Sequence, residues 1–167
     1  MKKLAVIVPC YNEELVIAES YRRTREALRK LSVLTEIIYI NDGSRDRTRL
    51  MLDEIAVADP QVKVIHFSRN FGHQPAVTAG INNCDADLAV ILDADMQDPP
   101  ELISSILELQ KKEQANVVYC VRKSRDGEGF FLYFTAKAFY RMLNYMCDVS
   151  FPLVTGDFCI IDRRVMD

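Results

Sequence analysis

The sequence predicts an α/β protein: a mainly parallel sheet with helices on both faces. Two observations carry this. Short continuous apolar runs alternate along the chain with stretches whose apolar residues recur at helical spacing. Dense polar clusters follow the apolar runs, as expected where strands of a parallel sheet end at one ligand-facing edge.

The elements follow in order. Leu4 to Pro9, "LAVIVP", is the first strand, its run too apolar for a sheet with one wet face. Glu13 to Leu31 is helical, with Ile17, Tyr21, Thr24, Leu28 and Leu31 on one face and Arg22, Arg25 and Arg29 among the polar positions. "EIIYI", Glu36 to Ile40, is the second strand. The next helix carries Met51, Ile55 and Ala58 on one side and stops near Pro60. Val62 to Phe67 is the third strand. A short helix follows in "HQPAVTAGINNC", where Pro75 is tolerable only in the first turn. "LAVILD", Leu88 to Asp93, is the fourth strand. Pro99 and Pro100 then open a helix with Leu102, Ile103, Ile106 and Leu107 on its apolar face, and Asn116 to Val121 is the fifth strand. No internal repeat or low-complexity segment interrupts the order.

The 167 residues fit one domain, residues 1–167, with a substantial core, and a hydrophobic content of 49% with 27% charged residues is globular. A net charge of -3 gives no general attraction to nucleic acid, so none is expected as a partner. The five cysteines are widely spaced, with no CxxC pair or His cluster, and read as small hydrophobes of a reducing compartment. No signal peptide and no membrane span are visible, so the chain alone is expected to be soluble. It ends in "CIIDRRVMD" without cap or polar tail, which suggests the catalytic part of a longer protein.

Four polar loops converge on one edge: "PCYNEE", "NDGSRD", "SRNFGHQ" and "DADMQD". Asp93 and Asp95 lie at i, i+2 after a buried strand and point the same way from an extended chain. Such a pair repels itself unless a cation stands between, and Mg2+ or Mn2+ takes one or two carboxylates plus substrate phosphates. Asp98 is expected to cap the following helix. Asp42 suits a hydrogen bond from a nucleobase, or a plain turn before Gly43. Asn12 and Glu13 suit either a pocket wall or the cap and first turn of the first helix. His73 has no base or nucleophile partner in the sequence, so no catalytic role is expected of it; Arg69 and Asn70 are ambiguous. Arg122, Lys123 and Arg125 make a cation cluster fit for phosphate or for solvent. Residues 130–146 hold seven of fifteen aromatics with only Lys137 and Arg141 charged, which suits a core helix or a membrane surface, and the membrane-proximal reading is adopted.

Absences narrow the class. No GxGxxG follows the first strand and no GxxxxGK[ST] occurs, which disfavours dinucleotide-binding dehydrogenases and P-loop NTPases. No Ser/His/Asp or Cys/His arrangement stands out. A DxD phosphatase would want its acids after the first strand, and here they follow the fourth.

Five ordered motifs, "VIVPCYNEE", "INDGSRDRT", "SRNFGHQPAVTAGI", "ILDADMQDPPE" and "TGDFCIIDRR", resemble the inverting glycosyltransferases of family 2, with the GT-A fold. Within them the chain is similar to the polyprenyl-phosphate glycosyltransferases, of dolichol-phosphate mannosyl and bactoprenol glucosyl type. The resemblance implies that Pro9, Tyr11 and Glu13 line a nucleotide pocket and that Asp42 reads the base. Asp93, Ala94 and Asp95 form the DxD stretch. The implied metal set is Asp93, Asp95 and Gln97, with Asp95 and Gln97 nearest the ion and Asp93 near ribose and diphosphate. Arg122 and Arg125 would bind phosphate of donor or acceptor, and Asp157 would face the sugar; the implied catalytic set is Asp157, Asp95 and Arg122. Relatives often carry Arg after "GDF"; Cys159 stands there, leaving one expected phosphate contact without its residue.

The implied reaction moves a hexose, UDP-glucose being the first expectation as donor, to undecaprenyl phosphate for cell-envelope glycan. The longer protein would act at the cytoplasmic face of the inner membrane, touching the membrane surface, as a homo-oligomer in some relatives. Three alternatives stay open. They are a soluble family-2 transferase with a hydroxyl acceptor, a GDP-mannose-dependent polyprenyl-phosphate mannosyltransferase, and a non-catalytic nucleotide-sugar binding module.

Overall fold

The computed structural model describes residues 3–121 and 157–166. The elements are β1 (Lys3–Cys10), α1 (Ile17–Arg29), β2 (Leu34–Asn41), α2 (Thr48–Ala58), β3 (Val62–His66), α3 (His73–Asn82) and β4 (Leu88–Ile91). A 3₁₀ turn (Pro100–Leu102) leads into α4 (Ile103–Glu113), followed by β5 (Val117–Tyr119), β6 (Cys159–Asp162) and the short α5 (Arg163–Met166). The aromatic segment 130–146 and the Arg122–Arg125 cluster lie outside the described residues.

The strands form one six-stranded sheet in the order β3-β2-β1-β4-β6-β5. β1 pairs in parallel with β2 and β4, and β2 with β3. β6 runs antiparallel between β4 and β5, with Ile91 opposite Cys159 and Val118 opposite Ile160. This is the mainly parallel α/β sheet expected, with one strand the sequence reading lacks. "CII" is too short an apolar run to declare a strand; β6 forms because β4 and β5 offer it edges on both sides.

Alternation along β1 sorts the core. Leu4, Val6 and Val8 face α1, α2 and α4, packing with Ile17, Leu28, Leu52, Ile103 and Leu107. Ala5 and Ile7 face the other way, with Ile38, Ile40 and Ala76 of α3. Helices therefore cover both faces, which is why the strands read as unbroken apolar runs. α3 lies very close to the sheet: a Cβ on Gly80 would stand 2.3 Å from Ile7 Cγ2 and 2.9 Å from Ile40 Cδ1.

The start of α1 and the caps considered at two helices differ from expectation. α1 starts at Ile17 rather than Glu13: Asn12 sits at φ 57°, off the helical backbone, and the Asn12, Glu13 and Glu14 N–H groups brace a loop on Ser44 Oγ, Thr48 Oγ1 and Asp46 Oδ2. Asn12 does not cap the helix; its Oδ1 accepts from the Arg45 N–H at 2.9 Å. Asp98 is buried, but no side-chain hydrogen bond caps the 3₁₀ turn or α4.

Candidate functional site

The first two strand ends are stitched to each other. Besides the three bonds from residues 12–14, the Arg47 N–H returns to Glu14 Oε2, while the Thr48 N–H bonds Asp46 Oδ1 within the second loop. Asn41 holds the "NDGS" turn: its Oδ1 accepts from the Ser44 N–H, and its amide meets His66 Nδ1 at 3.0 Å. His66 Nε2 in turn meets Asp53 at 2.9 Å.

Asp42 is 4% exposed, and both its oxygens are engaged. They accept the N–H groups of Phe71 at 2.7 Å and Gly72 at 2.9 Å, tying the third strand-end loop to the second. Asp42 thus anchors a wall of the cleft, whatever else its free lone pairs meet. Gly43 permits this closeness. Its φ is +67°, and an added Cβ would stand 2.3 Å from the Arg69 carbonyl carbon. Arg69 lies 4.2 Å from the Phe71 ring centre, so its charge covers that loop rather than the cleft floor.

These loops enclose an open cleft of about 310 Å³ at the carboxyl ends of β1, β2 and β4. Pro9, Tyr11, Glu13, Asp42, Asp93, Ala94 and Asp95 all line it. The structure therefore brings together every described residue assigned to the nucleotide pocket. Gln97 is exposed and outside that lining; its N–H donates to Asp95 Oδ1 at 2.9 Å, closing a turn that holds Met96 at φ 67°. Arg122 and Arg125 lie outside the described residues.

Among the described residues, one cluster joins His73 to two acids. His73, Asp93 and Asp157 each offer a ligand atom, and these atoms lie within 4.8 Å of one another. His73 Nδ1 is 3.9 Å from Asp93 Oδ1 and Nε2 is 3.6 Å from Asp157 Oδ2. The sequence reading gave His73 no partner because the three residues are far apart in the chain. The only sequence signal was its place in the loop after β3, facing the same edge.

Electrostatics in the cleft are strained. Burial pushes the Asp93 carboxyl above its ordinary value, and the charges of Asp157, Asp95 and Asp98 add to this while His73 opposes it. Burial, then Asp95, Asp46 and Asp93, likewise raise Glu13. Two carboxylates within 4.8 Å repel by roughly 3 kcal/mol at an effective dielectric near 20, and by less here since Asp157 is 55% exposed. A divalent cation relieves that repulsion. The carboxylate oxygens of Asp93 and Asp95, both on the cleft lining, are the hard donors that Mg2+ or Mn2+ takes. Cys159 is buried, its thiol pushed up to about 12 chiefly by that burial, so it stays neutral and makes no substitute for a phosphate-binding Arg.

The model of "Glycosyl transferase family 2" matches residues 5–167. The chain belongs to that family. An uncharacterized glycosyltransferase of Bacillus subtilis, YkcC, is 49% identical over 163 residues, covering 98% of this chain and 50% of the relative. A prophage bactoprenol glucosyl transferase homolog of Escherichia coli K12 is 35% identical, covering 99% of this chain and 54% of the relative. An undecaprenyl-phosphate 4-deoxy-4-formamido-L-arabinose transferase of Proteus mirabilis is 34% identical over 172 residues, covering 100% of this chain and 51% of the relative. The chain spans about half the length of these curated relatives.

Solved structures share the fold. A mannosyltransferase from Pyrobaculum calidifontis, in complex with GDP-Man and Mn2+, aligns with a TM-score of 0.69 at 19% identity, covering 99% of this chain and 46% of that one. Glucosyl-3-phosphoglycerate synthase from Mycobacterium tuberculosis, in complex with UDP, aligns with a TM-score of 0.68 at 20% identity, covering 98% and 58%. The fold is GT-A, as the motif resemblance implied. Among the described residues, no helix is long and apolar enough to cross a membrane.

Proposed function

We propose that this chain is the donor-binding catalytic part of an inverting glycosyltransferase. It would move a hexose from a nucleotide sugar, UDP-glucose first, to polyprenyl phosphate. One observation carries the reading: Glu13, Asp93 and Asp95 converge on one cleft whose walls are bonded to each other, leaving clustered negative charge that a metal-bound diphosphate complements. The names of the bactoprenol and undecaprenyl-phosphate relatives support the acceptor class.

The chemistry fits these residues. When bound at Asp93 and Asp95, Mg2+ or Mn2+ would supply charge neutralisation for the diphosphate leaving group. Pro9 and Tyr11 wall the nucleotide side, and Asp42 keeps the 71–72 backbone in place beneath it. A lipid phosphate is anionic at neutral pH, so its oxygen attacks the sugar anomeric carbon without a general base. The new C–O bond forms as the bond to the diphosphate oxygen breaks, with inversion, and the nucleoside diphosphate leaves with the electron pair. Asp157 then orients the sugar; with a hydroxyl acceptor it would be the base instead. Arg122 and Arg125 are assigned to phosphate binding on sequence grounds. The reaction would take place at the cytoplasmic membrane surface, where the lipid phosphate is presented.

The test is sugar transfer by the full-length protein. Undecaprenyl phosphate, Mn2+ and each of UDP-glucose, GDP-mannose and a UDP-pentose are supplied in turn. Formation of one polyprenyl-phosphate sugar supports the proposal. Transfer only to a polysaccharide hydroxyl overturns the acceptor assignment.

A further inference from the structure

The proposed transfer leaves His73 without a role, yet its position is distinctive. Among the described residues it is the one side chain that lines both the donor cleft and a second hollow of about 200 Å³. Asp93 stands on the donor side, and Asp157 lines the second hollow with Val77, Ile91, Tyr119 and Ile161. The imidazole faces one acid with each nitrogen, Asp93 at 3.9 Å and Asp157 at 3.6 Å. Its backbone is fixed. His73 opens α3, directly after Gly72, whose N–H is held by Asp42, and α3 is seated on the sheet through Ala76 and Gly80.

We propose that His73 is a positioning residue of the transfer reaction, its ring bridging Asp93 and Asp157 so that the donor-side acid and the sugar-facing acid keep a fixed separation. The inference rests on the glycosyltransferase reading and deepens it. Two carboxylates this close spread apart when nothing lies between them, and Asp157, half exposed, is the one free to move. A ring anchored at a helix start holds its two nitrogens in place where a loop side chain would not. An error of about 1 Å in such a group is worth on the order of 100-fold in rate. Donor and metal affinity rest on Pro9, Tyr11, Asp93 and Asp95, and of these His73 faces only Asp93, at 3.9 Å, beyond hydrogen-bond reach.

The test uses the full-length protein. Transfer rates, nucleotide affinity and Mn2+ half-saturation are measured for wild type, His73→Ala, His73→Gln, Asp157→Asn and the double variant His73→Ala/Asp157→Asn. The expectation is a fall in kcat of roughly 10- to 100-fold in His73→Ala. Nucleotide Kd and Mn2+ half-saturation stay within about threefold, and His73→Gln recovers part of the rate. The double variant falls no more than about threefold below Asp157→Asn, because the two act as one unit. Turnover in His73→Ala within twofold of wild type overturns the proposal, as do multiplicative losses in the double variant. A large loss of Mn2+ affinity with normal kcat at saturating Mn2+ also overturns it, making His73 a metal ligand. Should His73→Ala not fold, His73→Gln alone carries the comparison, and wild-type kinetics there overturn it. A wild type that transfers only to a hydroxyl overturns the lipid acceptor, and His73 is then read on that acceptor. A wild type that releases nucleotide from no donor overturns both readings.

Discussion

Replacing Asp42 by Asn separates two roles for this residue. The carboxylate accepts two backbone N–H groups, at 2.7 and 2.9 Å, and is nearly inaccessible. An Asn side chain keeps one acceptor and turns an N–H₂ toward the second N–H. One charge-assisted bond is lost outright and the other becomes neutral, a combined cost of about 2–4 kcal/mol. Water reaches this loop, since Phe71 is 47% exposed, so the lower end applies, about 2 kcal/mol. For a domain of this size that is a fall in Tm of about 4–8 °C. Thermal unfolding without nucleotide measures it directly. Asp42→Ala, which leaves both N–H groups without an acceptor, should fall at least as far. An unchanged Tm together with lost nucleotide binding would refute the anchoring argument and leave Asp42 as a base reader alone.

Other outcomes follow from the same geometry. Gly43→Ala forces a positive φ on a residue with a Cβ and drives that Cβ into the Arg69–Asn70 backbone; the cost should be at least about 2 kcal/mol in urea unfolding, with weakened nucleotide binding. Stability should respond to pH in two opposed ways. Burial pushes Asp59 up, but the Gln61 N–H, the Tyr21 hydroxyl and Arg25 outweigh it, so its carboxyl sits below its ordinary value. Stabilisation from Asp59 is therefore present above the unfolded value near 3.8 and is lost as pH falls through the lower folded value. Asp93 and Glu13 are raised, so the folded state holds their protons more tightly. They cost stability at neutral pH and return it as pH falls toward their raised values. Alanine at both positions should accordingly remove that gain in Tm as pH falls, read from a Tm–pH profile taken without metal. Cys10, pushed up to about 12 mainly by burial, and Cys159 should both resist iodoacetamide in the native protein at pH 8, read by mass spectrometry.

Much of this molecule is legible in its sequence for a physical reason. Strands β1, β2 and β4 are buried on both faces, so each shows as an unbroken apolar run, and the polar loops after them mark the ligand edge. Pro9, Tyr11, Glu13, Asp42, Asp93, Ala94 and Asp95 all reach the cleft because Pro9 lies in the last two residues of a strand and the others within four residues past a strand end. What escaped the sequence depends on distant pairing. β6 is defined by the strands beside it rather than by its own four residues. The loop that precedes α1 is braced by side chains 32 to 35 positions away, which accept the N–H groups of residues 12–14. His73 gains its two acids from just past β4 and just before β6, and no local pattern announces either.

The central claim is that the acid-lined cleft binds a nucleotide diphosphate through a divalent cation. Calorimetric titration with UDP and GDP, with and without Mn2+, tests it most directly. The account predicts that one nucleotide binds, that binding requires Mn2+, and that Asp95→Ala abolishes it while leaving Tm unchanged. Equal binding with and without Mn2+, or undiminished binding in Asp95→Ala, would contradict it.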